Sequence, residues 1–302
     1  MTNRSSIPVY CFGEILWDVL PDGPQPGGAP FNVSYHLTKL NVPTGLISRI
    51  GDDENGKKLV ALIDQWGVKK HLLQTDPKHD TSQVLATVDA EKNEVSYDIV
   101  FPVAWDFIEL NAETIAAVRE AEYFVYGSLV ARNDVSRNTL LQLLDHAKFK
   151  VFDINLRPPF YDWELLELLI GKADLLKVNT SELDLVQEML GVSFETESEQ
   201  IAFIKERFNI QEIIVTKGEH GASYYTRDNE YHTNGVPVKV NDTIGSGDSF
   251  LGTVIANHYF EESPDVILKK AVAMGSFIAG KKGGCPSYDL SEYNAFYDKA
   301  QQ

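Results

Sequence analysis

The chain is short of cysteine and of positive charge, and each shortage narrows what it can be. Among 302 residues there are only 2 cysteines, Cys11 and Cys285, near opposite ends. Two thiols without metal-ligand spacing give no disulfide framework and suit a reducing compartment. Lys and Arg number 27 against 44 Asp and Glu, so the formal net charge is −17. Duplex nucleic acid and anionic membranes both need a basic footprint, so neither is expected as a partner. An anionic substrate must be held by local cations or by backbone N–H groups instead. No apolar run reaches the length of about 18 residues that suggests a membrane span, and no apolar segment follows a basic start. A cytoplasmic location is expected. Three signatures are also missing. There is no His/Cys cluster for zinc, no G-x-S-x-G for a serine hydrolase, and no G-x-G-x-x-G after the first strand for a dinucleotide dehydrogenase.

What is present is an ordinary globular composition, 43% hydrophobic and 24% charged, with ample material for a core. Short apolar runs rich in β-branched and aromatic residues recur at 8–12, 45–50, 122–127, 149–154, 174–179 and 212–216. Helical spacing lies between most of them, as in Leu59, Leu62, Ile63 and Trp66, or Leu140, Leu143, Leu144 and Ala147. Alternating strands and helices with two-sided apolar strands predict an α/β fold, a parallel sheet with helices on both faces. Ligands in such sheets bind beyond the carboxyl ends of the strands. Asp153, Asn179 and Thr216 each close an apolar run and so belong on that rim. One segment differs: Val95, Tyr97, Ile99 and Phe101 alternate with Ser96, Asp98 and Val100, and a polar turn around Lys92-Asn93 precedes them. That is a half-exposed antiparallel hairpin, either an edge decoration or a lid.

Several motifs offer a chemical and a structural reading. "GDDENGKK" (51–58) follows a phosphate loop until Lys58 replaces the hydroxyl residue that would bind magnesium. Its acids would repel a polyphosphate, so it reads as a turn and an acidic helix start. In "PGGAPFNVSYHL" (26–37) the glycines form a turn or a ligand approach, and Asn32 offers an amide that can donate to and accept from a polyol. Asp18, just past the first strand, is a second contact for hydroxyls. Arg157 in "DINLRP" is a cation on the rim. Asn179 and Glu182 in "VNTSEL" are oxygen ligands for a hydrated magnesium ion or the two halves of a capping box. "TKGEHG" (216–221) adds a hydroxyl and two glycines after a strand. In "DTIGSGDSF" (242–250) the glycines allow a close backbone approach at a helix start, where anions are favoured. The alternative is a capped helix with Asp242 or Asp248 as the cap.

In order along the chain, "GGAPFNVS", "NTSE", "TKGEHG", "DTIGSGDSF" and "KKGGCPS" resemble the ribokinase/PfkB carbohydrate kinase family, over essentially the whole chain. The resemblance implies a Rossmann-like (ribokinase-like) α/β fold with a small antiparallel β lid. It implies a single kinase domain over 1–302, with lid segments at approximately 13–26 and 82–104, and transfer of a phosphoryl group from ATP with Mg2+ to a sugar hydroxyl. Carried over by position, Asp248 resembles the general base, and the N–H groups of Gly245, Ser246 and Gly247 resemble the anion hole. Asp18, Gly28 and Asn32, with Arg157 beside them, resemble sugar contacts. Asn179 and Glu182 resemble the magnesium–phosphate elements, while Thr216 and Gly218, with Gly221, resemble nucleotide contacts. Asp242 and Ile244 resemble a site for K+. "GEILWDVLPDGPQPGGAPFNV" and "DINLRPP" look most like fructokinases, with 2-keto-3-deoxygluconate kinase as the alternative. A catalytically inactive sugar sensor is the reading from a different class. A homodimer through the lid is a further expectation.

Overall fold

A computed structural model of the chain describes residues 7–20, 23–89 and 94–301. The first half of the chain contributes strands β1 (Val9–Phe12), β2 (Leu16–Leu20) and β3 (Gly23–Gly27), helix α1 (Ala29–Lys39), β4 (Thr44–Gly51) and α2 (Glu54–Trp66). β5 (Leu73–Asp76), β6 (Ser82–Asp89), β7 (Glu94–Ile99), α3 (Ala112–Glu120), β8 (Tyr123–Gly127) and α4 (Asp134–Leu144) follow. The second half runs through β9 (Phe149–Asp153), α5 (Trp163–Ile170), β10 (Leu175–Asn179), α6 (Thr180–Met189), α7 (Glu197–Phe208) and β11 (Glu212–Thr216). It ends with β12 (Ala222–Tyr225), β13 (Glu230–Thr233), α8 (Ser246–Tyr259), α9 (Pro264–Ala279) and α10 (Leu290–Ala300).

The main sheet has the order β13-β12-β11-β10-β9-β8-β1-β4-β5. It is parallel from β11 to β5, and β12 and β13 close one edge as an antiparallel hairpin. Its strands are apolar on both sides because both sides are covered. Along β1, Cys11 packs under α1, α2, α8 and α9 with Val33, Leu37, Leu59 and Leu251, while Phe12 packs on the opposite face with Phe124, Leu140 and Leu166. Each apolar run found in the sequence is one of these strands. The phosphate-loop look-alike is indeed a helix start. Asp53 caps α2, accepting from the Gly56 N–H at 2.7 Å, and its second oxygen accepts from the Thr81 N–H at 2.7 Å.

A smaller sheet, order β3-β2-β6-β7, stands apart from the main one. Its two hairpins are antiparallel, and they join through a parallel pairing of β2 with β6. The expected hairpin is β6–β7, while its polar turn at Lys92-Asn93 lies outside the described residues. The Pro/Gly-rich stretch before α1, within the segment 13–26 expected in the lid, forms β3, a strand at the sheet edge, where proline is tolerated because one side of the ladder is unpaired. Where β7 returns to the body, Arg132 holds the chain. It donates to the carbonyls of Ile99 and Val100 and pairs with buried Asp106 at 2.7 Å.

Candidate active site

The carboxyl ends of the parallel strands open into two cavities with a common wall. The larger, about 770 Å³, is lined by Asp18 of β2, Gly28 just past β3, Asn32 of α1, Asp153 of β9 and Arg157, and by Asp248. Leu16, Val84 and Ile99 of the small sheet form its cover. The second, about 630 Å³, is lined by Gly218 and Gly221, by apolar Val236, Val238 and Val240, and by Phe250, Val272 and Ala279. Asn179, Thr216, Thr243 and Gly247 line both. Among the described residues of that second wall there is no asparagine from α9; Val272, Gly275, Ser276 and Ala279 face the space instead.

Asp248 sits at this junction because of how α8 begins. The cap residue is Gly245, at φ 74°, and no side chain caps the helix. Only glycine takes that backbone readily, and a Cβ there would lie 2.4 Å from the Gly284 Cα. Neither Asp242 nor Asp248 is therefore the cap. Asp242 instead accepts from the Ile244 N–H with one oxygen and from the Gly283 N–H with the other, both at 3.0 Å, tying two loops together. The expected set of anion-binding N–H groups is narrowed in one respect. The Ser246 N–H donates to the Thr243 carbonyl at 3.2 Å, closing the turn. Among the described residues no backbone or side-chain acceptor takes the N–H of Gly245, Gly247 or Asp248. Those donors and the helix dipole give the junction a positive potential, to which Lys177 adds, its Nζ 3.5 Å from where a Cβ at Gly247 would lie.

The Asp248 carboxylate accepts from Nδ2 of Asn32 at 2.8 Å. Burial pushes its pKa up to about 6, and Asp153 adds to the rise, while the Asn32 hydrogen bond and the charges of Lys177 and Arg157 hold it back. A carboxylate poised just below neutral pH is ionised at pH 7 yet basic enough to take a proton. Asp18 is likewise raised to about 6, mainly by burial.

Asn179 and Glu182 form a capping box. Oδ1 of Asn179 accepts from the Glu182 N–H and Oε2 of Glu182 accepts from the Asn179 N–H, each at 2.9 Å. Oε1 of Glu182 accepts from the Leu156 N–H at 3.0 Å. The structural reading of this motif is therefore present, at a place that also faces both cavities. Burial and the Asp153 charge raise the Glu182 carboxyl, against Lys177 and the two backbone N–H groups. Among the described residues no group of three or more His, Cys, Asp and Glu side chains converges to hold a metal. These residues fit an ion that keeps its water and rides on phosphate oxygens; they do not form a cage of their own.

Three groups escaped the sequence reading. Lys177 points from β10 into the larger cavity, 6% exposed, and donates to both oxygens of Asp153 at 2.8 and 2.9 Å. Burial works against its charge, but Asp153, Glu182 and Asp248 outweigh it and raise its pKa. A lysine inside the apolar run 174–179 was the available signal. Glu14 is buried beside the cavity, accepting from the Ala29 N–H with Oε1 while Oε2 has no partner, and burial raises its pKa to about 7. Cys285 donates its thiol to Oδ1 of Asn32 at 3.2 Å. Arg157, by contrast, is where the sequence put it: exposed on the rim, its guanidinium donating to the Leu156 carbonyl at 2.9 Å.

Two adjoining cavities, of about 770 and 630 Å³, that meet beside an anion-favouring helix start are the arrangement of a protein that brings two small molecules together, one of them anionic. The model of the pfkB family carbohydrate kinases matches residues 23–290, and the chain belongs to that family. It is a sugar kinase, a phosphotransferase with an alcohol acceptor. It is similar to a probable fructokinase-4 of Arabidopsis thaliana, 27% identical over 95% of each chain. Fructokinase-2 of Solanum lycopersicum is 28% identical over 92% of each. Among solved structures, a fructokinase with bound ATP from Xylella fastidiosa superposes with a TM-score of 0.85 at 20% identity, covering 97% of this chain and 99% of that one. A fructokinase from Vibrio cholerae O395 holding fructose, ADP and calcium gives 0.81 at 24%, covering 96% and 98%. Among the described residues no helix is long and apolar enough to cross a membrane.

Proposed function

We propose that the protein is an ATP-dependent fructokinase that makes fructose 6-phosphate. The observation that carries the reading is Asp248, a half-buried carboxylate that lines the larger cavity next to Gly247, which lines both. In this reading fructose occupies the larger cavity, held by Asp18, Gly28, Asn32 and Arg157, and presents its distal primary hydroxyl to Asp248. ATP lies in the second cavity along Asn179, Thr216, Gly218 and Gly221. Asp248 takes the hydroxyl proton as the oxygen–phosphorus bond forms and the bond to the β-phosphate oxygen breaks. The free N–H groups of the α8 start, Gly245 and Gly247 beside Ser246, receive the charge on the moving phosphoryl group. Magnesium supplies neutralisation of the phosphate charge, with Asn179 and Glu182 placed to hold its water. A monovalent cation such as K+ is proposed beside the loops that Asp242 joins, at Asp242 and Ile244.

We also propose one kinase domain over 1–302 whose small sheet, from segments 13–26 and 82–104, closes over bound sugar and excludes water. Slowed hydrogen exchange of β6 and β7 on adding sugar supports the lid; unchanged exchange there removes it. Leu85 on that sheet is 39% exposed, in keeping with a homodimer through the lid, which sedimentation measures directly.

The test of substrate is ATP-dependent phosphorylation of fructose, 2-keto-3-deoxygluconate, ribose, tagatose phosphate and adenosine. Fructose is expected to give the highest kcat/KM. Arg157 favours the second reading, because an exposed guanidinium on the rim can pair with a sugar-acid carboxylate. A higher kcat/KM for 2-keto-3-deoxygluconate would transfer the assignment to that reading.

A further inference from the structure

The Asn32 amide stands between two groups that are far from it in sequence. On one side Nδ2 donates to Oδ2 of Asp248 at 2.8 Å, and on the other Oδ1 accepts from the thiol of Cys285 at 3.2 Å. An amide can turn over and exchange its oxygen for its nitrogen, and turned over it would set an oxygen against the carboxylate. Something must choose between the two orientations. Asn32 is 3% exposed, so bulk water does not do it. The thiol is the group on the oxygen side, and burial together with the charges of Asp248 and Asp18 raises its pKa well above the usual thiol value. It therefore stays protonated, with an S–H to donate to the amide oxygen and a sulfur that is only a weak acceptor for a reversed amide.

The loop that carries Cys285 is fixed for this purpose. The carbonyl of Gly284 is 2.9 Å from Nε2 of fully buried His36, and Nδ1 of His36 lies 3.1 Å from the Tyr288 hydroxyl. Gly284 passes so close to the amide that a Cβ there would lie 2.6 Å from Nδ2 of Asn32. The amide has little room and one donor facing its oxygen.

We infer that Cys285 is a positioning residue for the phosphoryl-transfer base: its S–H locks the Asn32 amide so that Nδ2 always donates to Asp248. The inference rests on the reading of Asp248 as that base. Other charges face Asp248 as well: Asp153 from the end of β9, Lys177 from β10, Arg157 from the loop after β9, Glu14 from the loop between β1 and β2, and Asp18 from β2. Asn32 is hydrogen-bonded to both Cys285 and Asp248, and the thiol is neutral, so losing the S–H donor reaches Asp248 through Asn32.

The test compares wild type with Cys285→Ala, which removes the donor, and Cys285→Ser, which keeps one. Two readouts are taken: kcat against pH with ATP and the preferred sugar, and the titration of the Asp248 carboxyl by carbon-13 NMR, assigned with Asp248→Asn. A hydrogen bond to the charged carboxylate favours ionisation, so its loss raises the pKa. In Cys285→Ala the Asp248 titration and the acid limb of kcat are expected to move up together by roughly half a unit to one unit. KM for sugar is expected to change less than twofold, and Cys285→Ser is expected to restore both curves. A uniform drop in kcat at every pH with an unmoved Asp248 titration would mean a packing role only and would overturn the inference. So would a serine variant that behaves like the alanine one. If wild type phosphorylates no sugar, the kinase reading fails, and the NMR titration still decides whether Cys285 governs Asp248.

Discussion

Glu182 and Asp248 occupy the same place in two helices, the third residue of α6 and of α8, each just past a strand end or loop on the ligand side of the sheet. Their surroundings separate them. Glu182 follows an Asn cap, and its longer side chain folds back onto the cap N–H, so both oxygens take backbone donors. Asp248 follows Gly245, which has no side chain to cap with and a backbone that turns the chain left-handed. Its shorter carboxylate is held by a side chain from α1, while the first-turn N–H groups stay open. The lesson is that an acid in a first turn becomes available for chemistry when the cap beside it leaves backbone donors unmet. Both acids line the larger cavity, but Glu182 completes its helix while Asp248 leaves the donors of its first turn unmet.

The comparison breaks most readily at Asp248. Asp248→Asn keeps the size and the hydrogen bond from Asn32 but cannot accept a proton, so kcat is expected to fall by ~10²–10⁴-fold while sugar and ATP still bind. Near-normal kcat would make Asp248 the equivalent of Glu182. The same group sets the acid limb of the wild-type pH profile. With a pKa of about 6, kcat is expected to fall roughly tenfold per unit well below that value and to level off above it. The stability effect has the opposite sense to that of an ordinary paired carboxylate. Because the folded pKa is raised from 3.8 to about 6, the ionised form is disfavoured in the fold, and stability is lost as pH rises through that window. Asp248→Asn is therefore expected to melt above wild type beyond pH 6, by on the order of 1–3 kcal/mol, and the gain is expected to vanish below the ordinary carboxylate range.

Gly245→Ala attacks the cap instead of the acid. The positive φ and the Gly284 backbone 2.4 Å from the new Cβ require the loop to move. A stability loss on the order of 2–4 kcal/mol is expected, with kcat reduced ~10-fold or more as the first-turn donors shift. Chemical denaturation and steady-state rates separate the two effects, and an unaffected variant would show that the cap geometry is dispensable. The smallest effect is expected on the other helix. Glu182→Gln can accept from only one of its two backbone donors, so stability is expected to drop by about 1 kcal/mol. The magnesium concentration for half-maximal rate is expected to rise ~10-fold. An unchanged magnesium dependence would leave Glu182 with its capping box alone.

The sequence reading found the scaffold of this site better than its interior. Asp248, Asn32, Asp18, Gly28, Asn179, Thr216 and Arg157, all singled out from the sequence, line one cavity; all but Asp18 sit in a glycine-rich motif or at or just past a strand end. Lys177 was not singled out: a lysine inside an apolar run signals that the strand carries a charge, but its partner Asp153 is on another strand and is not legible locally. The N-x-x-E motif left two readings open for a related reason. A capping box and a metal-facing pair use the same residues at the same spacing, and local pattern does not separate them. β3 was not identified as a strand because GPQPG has almost no strand propensity; pairing with β2 at a sheet edge overrode that preference.

By itself the sequence determined the alternation of strands and helices, which loops end on the ligand side, and that a glycine-flanked acid begins a late helix. These follow from near-neighbour sterics and apolar periodicity, which act over a few residues. Only the tertiary structure decided what that acid faces. Asn32 and Asp248 are 216 positions apart, and Asn32 and Cys285 are 253 apart. The contacts between them arise only when α1, α8 and the loop before α10 pack on one side of the sheet. The position of a carboxylate's pKa is set by that packing, through burial and the charges it brings near, and no local stretch of chain contains it.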